Sequence, residues 1–197
     1  MKVYVVFCHP NRSSFTGQVL DAFHHGLRDA GHCVEIGDLY EMDFKSDMDI
    51  TQFVRETTMN LNTPQPDDIL VEQHKIDSAD GLVFIYPVWW SDCPAKLKGW
   101  FDRVFTYGYA YFYDDRDNRG TKIDIKKALV LCPAGHTNEH LEEIGITESM
   151  RHVMLDDRLI GVGVGEARME ILGGLMGGND NIRRVHLEKA YRLGIEF

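Results

Sequence analysis

The sequence predicts a three-layer α/β domain built on a doubly wound parallel sheet. The apolar runs VYVVF (3–7), LVFIY (82–86) and ALVLC (128–132) lack period-two alternation, the mark of strands buried on both faces. Segments with helical spacing separate these runs, so strand and helix alternate along the chain. The length of 197 residues suits one domain, which at this size buries roughly 70% of its unfolded surface.

After the first strand, Phe15, Val19, Leu20, Phe23 and Leu27 recur at helical spacing, with Gly31 as the C-terminal stop and VEI (34–36) as the second strand. Residues 41–66 break the alternation; their weak periodicity, ending at Pro64 and Pro66, reads as a surface insertion carrying one helix, and a further helix covers Asp67 to Asp77. Beyond the third strand, Pro94 occupies a first helical position and Leu97, Trp100, Phe101, Val104 and Phe105 form one apolar stripe. After the fourth strand, Leu141, Ile144, Met150, Val153 and Met154 predict a helix over 141–160. A weaker fifth strand, ARMEIL (167–172), lies among glycine-rich turns (161–178) that match no dinucleotide fingerprint, and 180–193 forms the last helix. Right-handed crossovers among five strands favour the order 2-1-3-4-5 in a single domain spanning 1–197.

Composition excludes several function classes. A net charge of −10 argues against nucleic acid as a partner, because that affinity comes from Lys and Arg neutralising phosphates. No apolar run approaches the ~20 residues of a membrane helix, so no integral membrane segment is expected, and MKVYVVFCHP is too short an apolar stretch for a signal peptide. The cysteines at 8, 33, 93 and 132 are scattered without a CxxC pair, which points to a reducing cytoplasm.

Ligands of open α/β sheets bind beyond the carboxyl ends of the strands, where strand order reverses. Three loops therefore carry the chemistry: 8–16, 87–93 and 133–140. In CHPNRSSFT the opening N–H groups of the first helix favour a phosphate, Ser13, Ser14 and Thr16 add hydroxyls, and His9 and Arg12 add charge. The same serines would equally serve as plain helix caps. In YPVWWSDCP two adjacent tryptophans suit a large planar ligand, with their backbone N–H groups turned to its polar edge, or else divide between core and subunit interface.

With HPNRSSF, the stretch YPVWWSDCPAKLKGWFDRVF resembles the NAD(P)H:quinone oxidoreductase family of flavodoxin-like proteins, and the similarity runs nearly the whole chain. The resemblance implies the flavodoxin-like fold, FMN or FAD as cofactor, NAD(P)H as co-substrate, a quinone or similar acceptor and a homodimer. It assigns His9, Arg12, Ser14, Phe15 and Thr16 to the flavin phosphate and ribityl chain, and Pro87, Val88, Trp89, Trp90 and Ser91 to the isoalloxazine ring. Pro133, Ala134, Gly135 and His136 occupy the place of a third flavin loop that usually reads threonine-threonine-glycine-glycine; only Gly135 keeps it. Beyond that loop the family places a tyrosine and a histidine; here His140 and His136 are the candidates to handle the proton that accompanies hydride transfer. The resemblance gives the four tyrosines of TYGYAYFYDD (106–115) a place at the active-site mouth or dimer contact, and a plain turn-and-packing role suits them as well.

HTNEH (136–140) also matches H-x-x-E-H, a zinc-peptidase pattern, but that motif needs both histidines on a formed helix and His136 comes directly after a strand end, so no metal is assigned. Cys8 and Cys132 read as buried core residues rather than nucleophiles. Two rivals remain within flavin chemistry: a regulatory subunit of a membrane transporter and a single-electron carrier of flavodoxin type.

Overall fold

The computed structural model describes residues 1–197 and places five parallel strands in one sheet. In chain order the elements are β1 (Lys2–Phe7), α1 (Phe15–Asp29), β2 (Cys33–Asp38), α2 (Ile50–Thr57), α3 (Asp67–Asp77), β3 (Gly81–Ile85) and α4 (Ala95–Val104). A short antiparallel hairpin, β4 (Phe112–Tyr113) and β5 (Arg119–Gly120), precedes β6 (Ile125–Pro133). Then come α5 (Asn138–Glu143), α6 (Ile146–Arg151), β7 (Val164–Leu172) and α7 (Asp180–Glu196). The sheet order β2-β1-β3-β6-β7 is 2-1-3-4-5 when the hairpin is set aside, so strand order reverses beside β1.

Alternate residues of the central strands feed two separate cores. Val3, Val5 and Phe7 of β1, Val83 and Ile85 of β3, and Leu129 and Leu131 of β6 pack against α1 and α7. Tyr4, Val6, Leu82, Phe84, Ala128 and Val130 point the other way, toward α3, α4 and the α5–α6 region. Burial on both faces explains why these runs lack alternation. Close approach of α1 and α7 depends on missing side chains: a Cβ on Gly26 would lie 2.1 Å from the Tyr191 carbonyl oxygen, and one on Gly194 2.3 Å from that of Phe23. On the opposite face the buried Glu72 of α3 accepts hydrogen bonds from Tyr4 Oη, from Trp100 Nε1 at 2.7 Å and from Lys75 Nζ at 2.7 Å, tying α3 to β1 and α4. β7 closes one margin of the sheet, with Glu166, Arg168 and Glu170 along it.

Three elements differ from the sequence expectation. The helix expected over 141–160 is two short helices, because Gly145 adopts φ +74° between them; a π-helical turn (His152–Asp157) and a 3-10 turn (Ile160–Val162) complete the segment. The β4–β5 hairpin has no counterpart in the sequence expectation, since two-residue strands leave no periodic signal. The 41–66 segment is docked rather than loosely appended, and its helix is inverted: Gln52 and Arg55 are 1% and 5% exposed, whereas Ile50 and Phe53 are 73% and 52% exposed. Gln52 bridges to Arg103, which also pairs with Asp68, while Arg55 and Glu56 hold the backbone of Tyr107.

Candidate functional site

Hydrogen bonding of the ladder type runs past the strand ends and sets the candidate loops side by side. The N–H of Cys8 donates to the Ile85 carbonyl at 3.0 Å, that of Tyr86 to Leu131 at 3.2 Å, that of Val88 to Pro133 at 2.8 Å and that of Ala134 to Leu172 at 3.0 Å. Loops 8–14, 86–94 and 133–137 thus open at one rim, joined by 173–178.

The first loop folds back on the helix it feeds. Ser14 caps α1 by accepting from the Gly17 N–H at 3.2 Å, which leaves the amides of Phe15 and Thr16 without an intrachain partner. Those free donors, at the positive end of the helix dipole, suit an anion. Gly17 is required by the fold-back, because a Cβ there would lie 1.9 Å from the Arg12 carbonyl oxygen. Arg12 itself is engaged locally: its guanidinium pairs with Asp21 and donates to the Gly17 carbonyl at 3.0 Å. His9 accepts from the Asn11 N–H through Nδ1 at 3.0 Å and stands 5.9 Å, centroid to centroid, from the Trp89 ring.

The second loop is a tight turn. Trp89 and Asp92 exchange backbone hydrogen bonds of 3.0 and 3.2 Å, and the central residues Trp90 and Ser91 take φ +48° and +65°. Such left-handed conformations cost roughly 1–2 kcal/mol per non-glycine residue and concentrate at functional sites. The expectation that both tryptophan amides face a ligand is corrected: the Trp89 N–H is spent inside the turn, and the free amides are those of Trp90 and Ser91. The Trp90 ring is fully exposed, Trp89 is partly so, Pro87 is buried and Val88 is half-buried.

In the third loop Pro133 and Ala134 are buried, while Gly135 and His136 are exposed with unpaired amides. Thr137 caps α5 through the His140 N–H at 3.2 Å, and the imidazoles of His136 and His140 lie 4.9 Å apart. His136 precedes α5, so the two do not share a formed helical turn, and no third metal-type side chain joins them. Two features of the rim carry no sequence signal: Met176 lies against Gly135, and Asp92 pairs with Arg158. The first comes from a loop that reads only as a turn, the second from a residue far along the chain, so no local pattern marks either.

The rim residues Trp89, Trp90, Gly135 and His136 are exposed. The larger clefts, of about 620 Å³ between β2 and α3 and about 780 Å³ beside α5 and α6, lie elsewhere. Unpaired amides stand at the start of α1 and again at 90–91 and 135–136, so donors are available to a ligand with an anionic tail and a carbonyl-edged ring. A flavin mononucleotide or the matching half of FAD has both, and the residues present fit it.

Fold and rim together define a flavodoxin-like protein, and a family model described as the flavodoxin-like fold matches residues 1–192. The chain resembles an NAD(P)H:quinone oxidoreductase from Methanothermobacter marburgensis at 57% identity and a TM-score of 0.95, covering 99% of this chain and 98% of that one. An uncharacterised NAD(P)H oxidoreductase of Haemophilus influenzae is 28% identical over 96% of this chain and 92% of its own length. The mouse ribosyldihydronicotinamide dehydrogenase [quinone] is 31% identical over 78% of this chain and 71% of its length. The chain spans 65% of the length of a related Penicillium crustosum protein and 60% of that of the guinea-pig NAD(P)H dehydrogenase [quinone] 1. An FMN-dependent NADH-azoreductase of Bacillus anthracis, solved with FMN, shares the fold at a TM-score of 0.75 and 17% identity. The chain belongs to the flavodoxin-like family, within its NAD(P)H:quinone oxidoreductases.

Proposed function

We propose that this protein is a flavin-dependent NAD(P)H:quinone oxidoreductase, with FMN as the preferred flavin, working in the cytoplasm as a homodimer. The observation that carries the reading is the single rim where free amides at Phe15–Thr16, Trp90–Ser91 and Gly135–His136 meet an exposed tryptophan pair. When bound, a flavin supplies two-electron chemistry, accepting hydride from NAD(P)H and passing both electrons to a quinone or similar aromatic acceptor.

The chain's own residues provide position and charge. The amides of Phe15 and Thr16, with the hydroxyls of Ser14 and Thr16, hold the phosphate end; His9 and Arg12 shape that loop rather than float as free cations. Pro87, Val88, Trp89, Trp90 and Ser91 would hold the ring, together with Pro133, Ala134 and Gly135. Amides at 90–91 and 135–136 stabilise negative charge that develops on the ring's carbonyl edge. His136 and His140 are exposed at the third loop, where an imidazole would hold or release the accompanying proton. The outward apolar face of α2, with Ile50, Phe53 and Val54, supports the homodimer, since a helix that buries its polar side and presents its apolar side calls for a partner. Tyr107, Tyr111 and Tyr113 form an edge-to-face array beside the β4–β5 hairpin, a surface suited to a contact between copies.

Titration of the apoprotein with FMN and FAD should give a yellow, saturable complex with FMN bound more tightly. Anaerobic NADH or NADPH should bleach it, and menadione should restore the colour. Failure to take up either flavin overturns the reading; a complex that no nicotinamide nucleotide bleaches leaves a regulatory or carrier role in its place.

A further inference from the structure

The strained turn at 89–92 has an anchor outside the candidate loops. Asp92 Oδ1 and Oδ2 accept from Arg158 Nη1 and Nη2 at 3.1 and 3.2 Å, a fork-to-fork pair, and Asp92 Oδ1 also accepts from the Cys93 N–H at 2.7 Å. Arg158 is sunk rather than dangling: its side chain is 11% exposed, Nη1 lies 3.6 Å from Cys93 Sγ, and Cζ stands 5.4 Å from the centroid of the Phe101 ring. It is delivered there by the π-helical turn at His152–Asp157, which closes with the Arg158 N–H donating to the carbonyl of Val153, five residues back. One extra residue in a turn rotates every later side chain by about 100° around the axis, and such turns occur frequently at functional sites.

Beside the paired Trp89–Asp92 backbone bonds and the burial of Cys93, Arg158 supplies the side-chain anchor of the turn. The Trp90 ring is fully exposed and contributes no packing of its own, while two successive left-handed residues favour relaxation to another backbone. Burial opposes ionisation of the Asp92 carboxyl, but the hydrogen bonds from Arg158 and Cys93 outweigh it and hold the group below the usual carboxylate range; the pair is charged across the neutral range.

We propose that Arg158 is a positioning residue for the cofactor: through Asp92 it locks the Trp90–Ser91 turn in its left-handed form, and so fixes the free amides of Trp90 and Ser91 where a flavin ring edge meets them. The inference rests on the flavin reading above for its functional half, and on the geometry alone for its structural half. Arg158 would act through Asp92 rather than by touching the ring. Lysine is a poor substitute, because it keeps the charge but loses the planar fork.

Amide hydrogen exchange on the apoprotein, together with FMN and FAD titrations, tests it in wild type, R158K, R158M and D92N. In R158M the amides of Trp89, Asp92 and Cys93 should exchange roughly tenfold faster or more while those of the β1, β3 and β6 core keep their protection. The affinity for the bound flavin should fall roughly tenfold, and its reduction potential should shift, with R158K rescuing only in part. A merely structural role predicts otherwise: a lower Tm, with turn and core amides losing protection together and flavin affinity and potential unmoved, and that result overturns the proposal. Should R158M fail to fold, D92N, altered at a half-exposed side chain, carries the same comparison. Should the wild type bind neither flavin, the proposed function falls and the cofactor half of this inference with it, while the exchange pattern still decides whether Arg158 holds the turn.

Discussion

Cys8, Cys93 and Cys132 stand where β1, α4 and β6 reach the rim, yet all three thiols are buried, and only Cys33 on β2 is exposed. Burial pushes Cys8 and Cys93 up to about 12 and raises Cys132 as well, so none is a thiolate near neutrality. Iodoacetamide at pH 8 should therefore modify one thiol of the native protein, Cys33, and intact-mass analysis should record a single adduct. The same shifts set an alkaline limit. An unfolded thiol ionises near about 8.5, whereas the folded Cys8 and Cys93 stay protonated to about 12; above the lower value the unfolded state binds fewer protons, and stability falls as pH rises through this window. Urea midpoints measured between pH 7 and pH 10 should decline, and a C8A/C93A variant should decline less steeply. At this scale the sequence is informative about kind and silent about partner. CHPNRSSFT and YPVWWSDCP mark the rim by their chemistry, but that Arg12 is spent on Asp21, or that the Trp89 amide is spent inside its own turn, depends on three-dimensional pairing.

Among elements, α3 depends on one buried carboxylate. Glu72 is fully buried and satisfies the Tyr4 hydroxyl, the Trp100 indole N–H and the Lys75 ammonium together. Glu72→Ala would leave those donors without an acceptor, at a cost of about 3 kcal/mol or more, whereas Glu72→Gln keeps an acceptor and should cost less. Urea denaturation of the two variants beside wild type checks both the size and the order. The central strands were legible because β1, β3 and β6 are apolar on both faces, and α3 was legible over Asp67–Asp77, the span it occupies. The α5–α6 region was not, since apolar spacing across Ile144 and Met150 continues smoothly over the break that Gly145 makes. Nor was the orientation of α2 legible, for a reading by periodicity assumes that apolar residues face inward, and here Gln52 and Arg55 do. Their partners, Arg103 and the backbone of Tyr107, are about 50 positions away in sequence, beyond any local window.

For the molecule as a whole, α2 carries the exposed apolar face proposed above for pairing of two copies. Because Phe53 contributes nothing to the chain's own core, Phe53→Glu should leave the monomer's stability within about 0.5 kcal/mol of wild type while preventing association. Sedimentation velocity at micromolar concentration should give a dimer for wild type and a monomer for the variant, and circular dichroism should be unchanged. Flavin affinity in that monomer would then report whether a second chain completes the pocket. The margin formed by β7 bears on growth of a different kind. Growth of the sheet from molecule to molecule would set β7 against the other edge, β2, and the charged Glu166, Arg168 and Glu170 of β7 disfavour that pairing. In a crowded solution that charged margin works against open-ended fibrils.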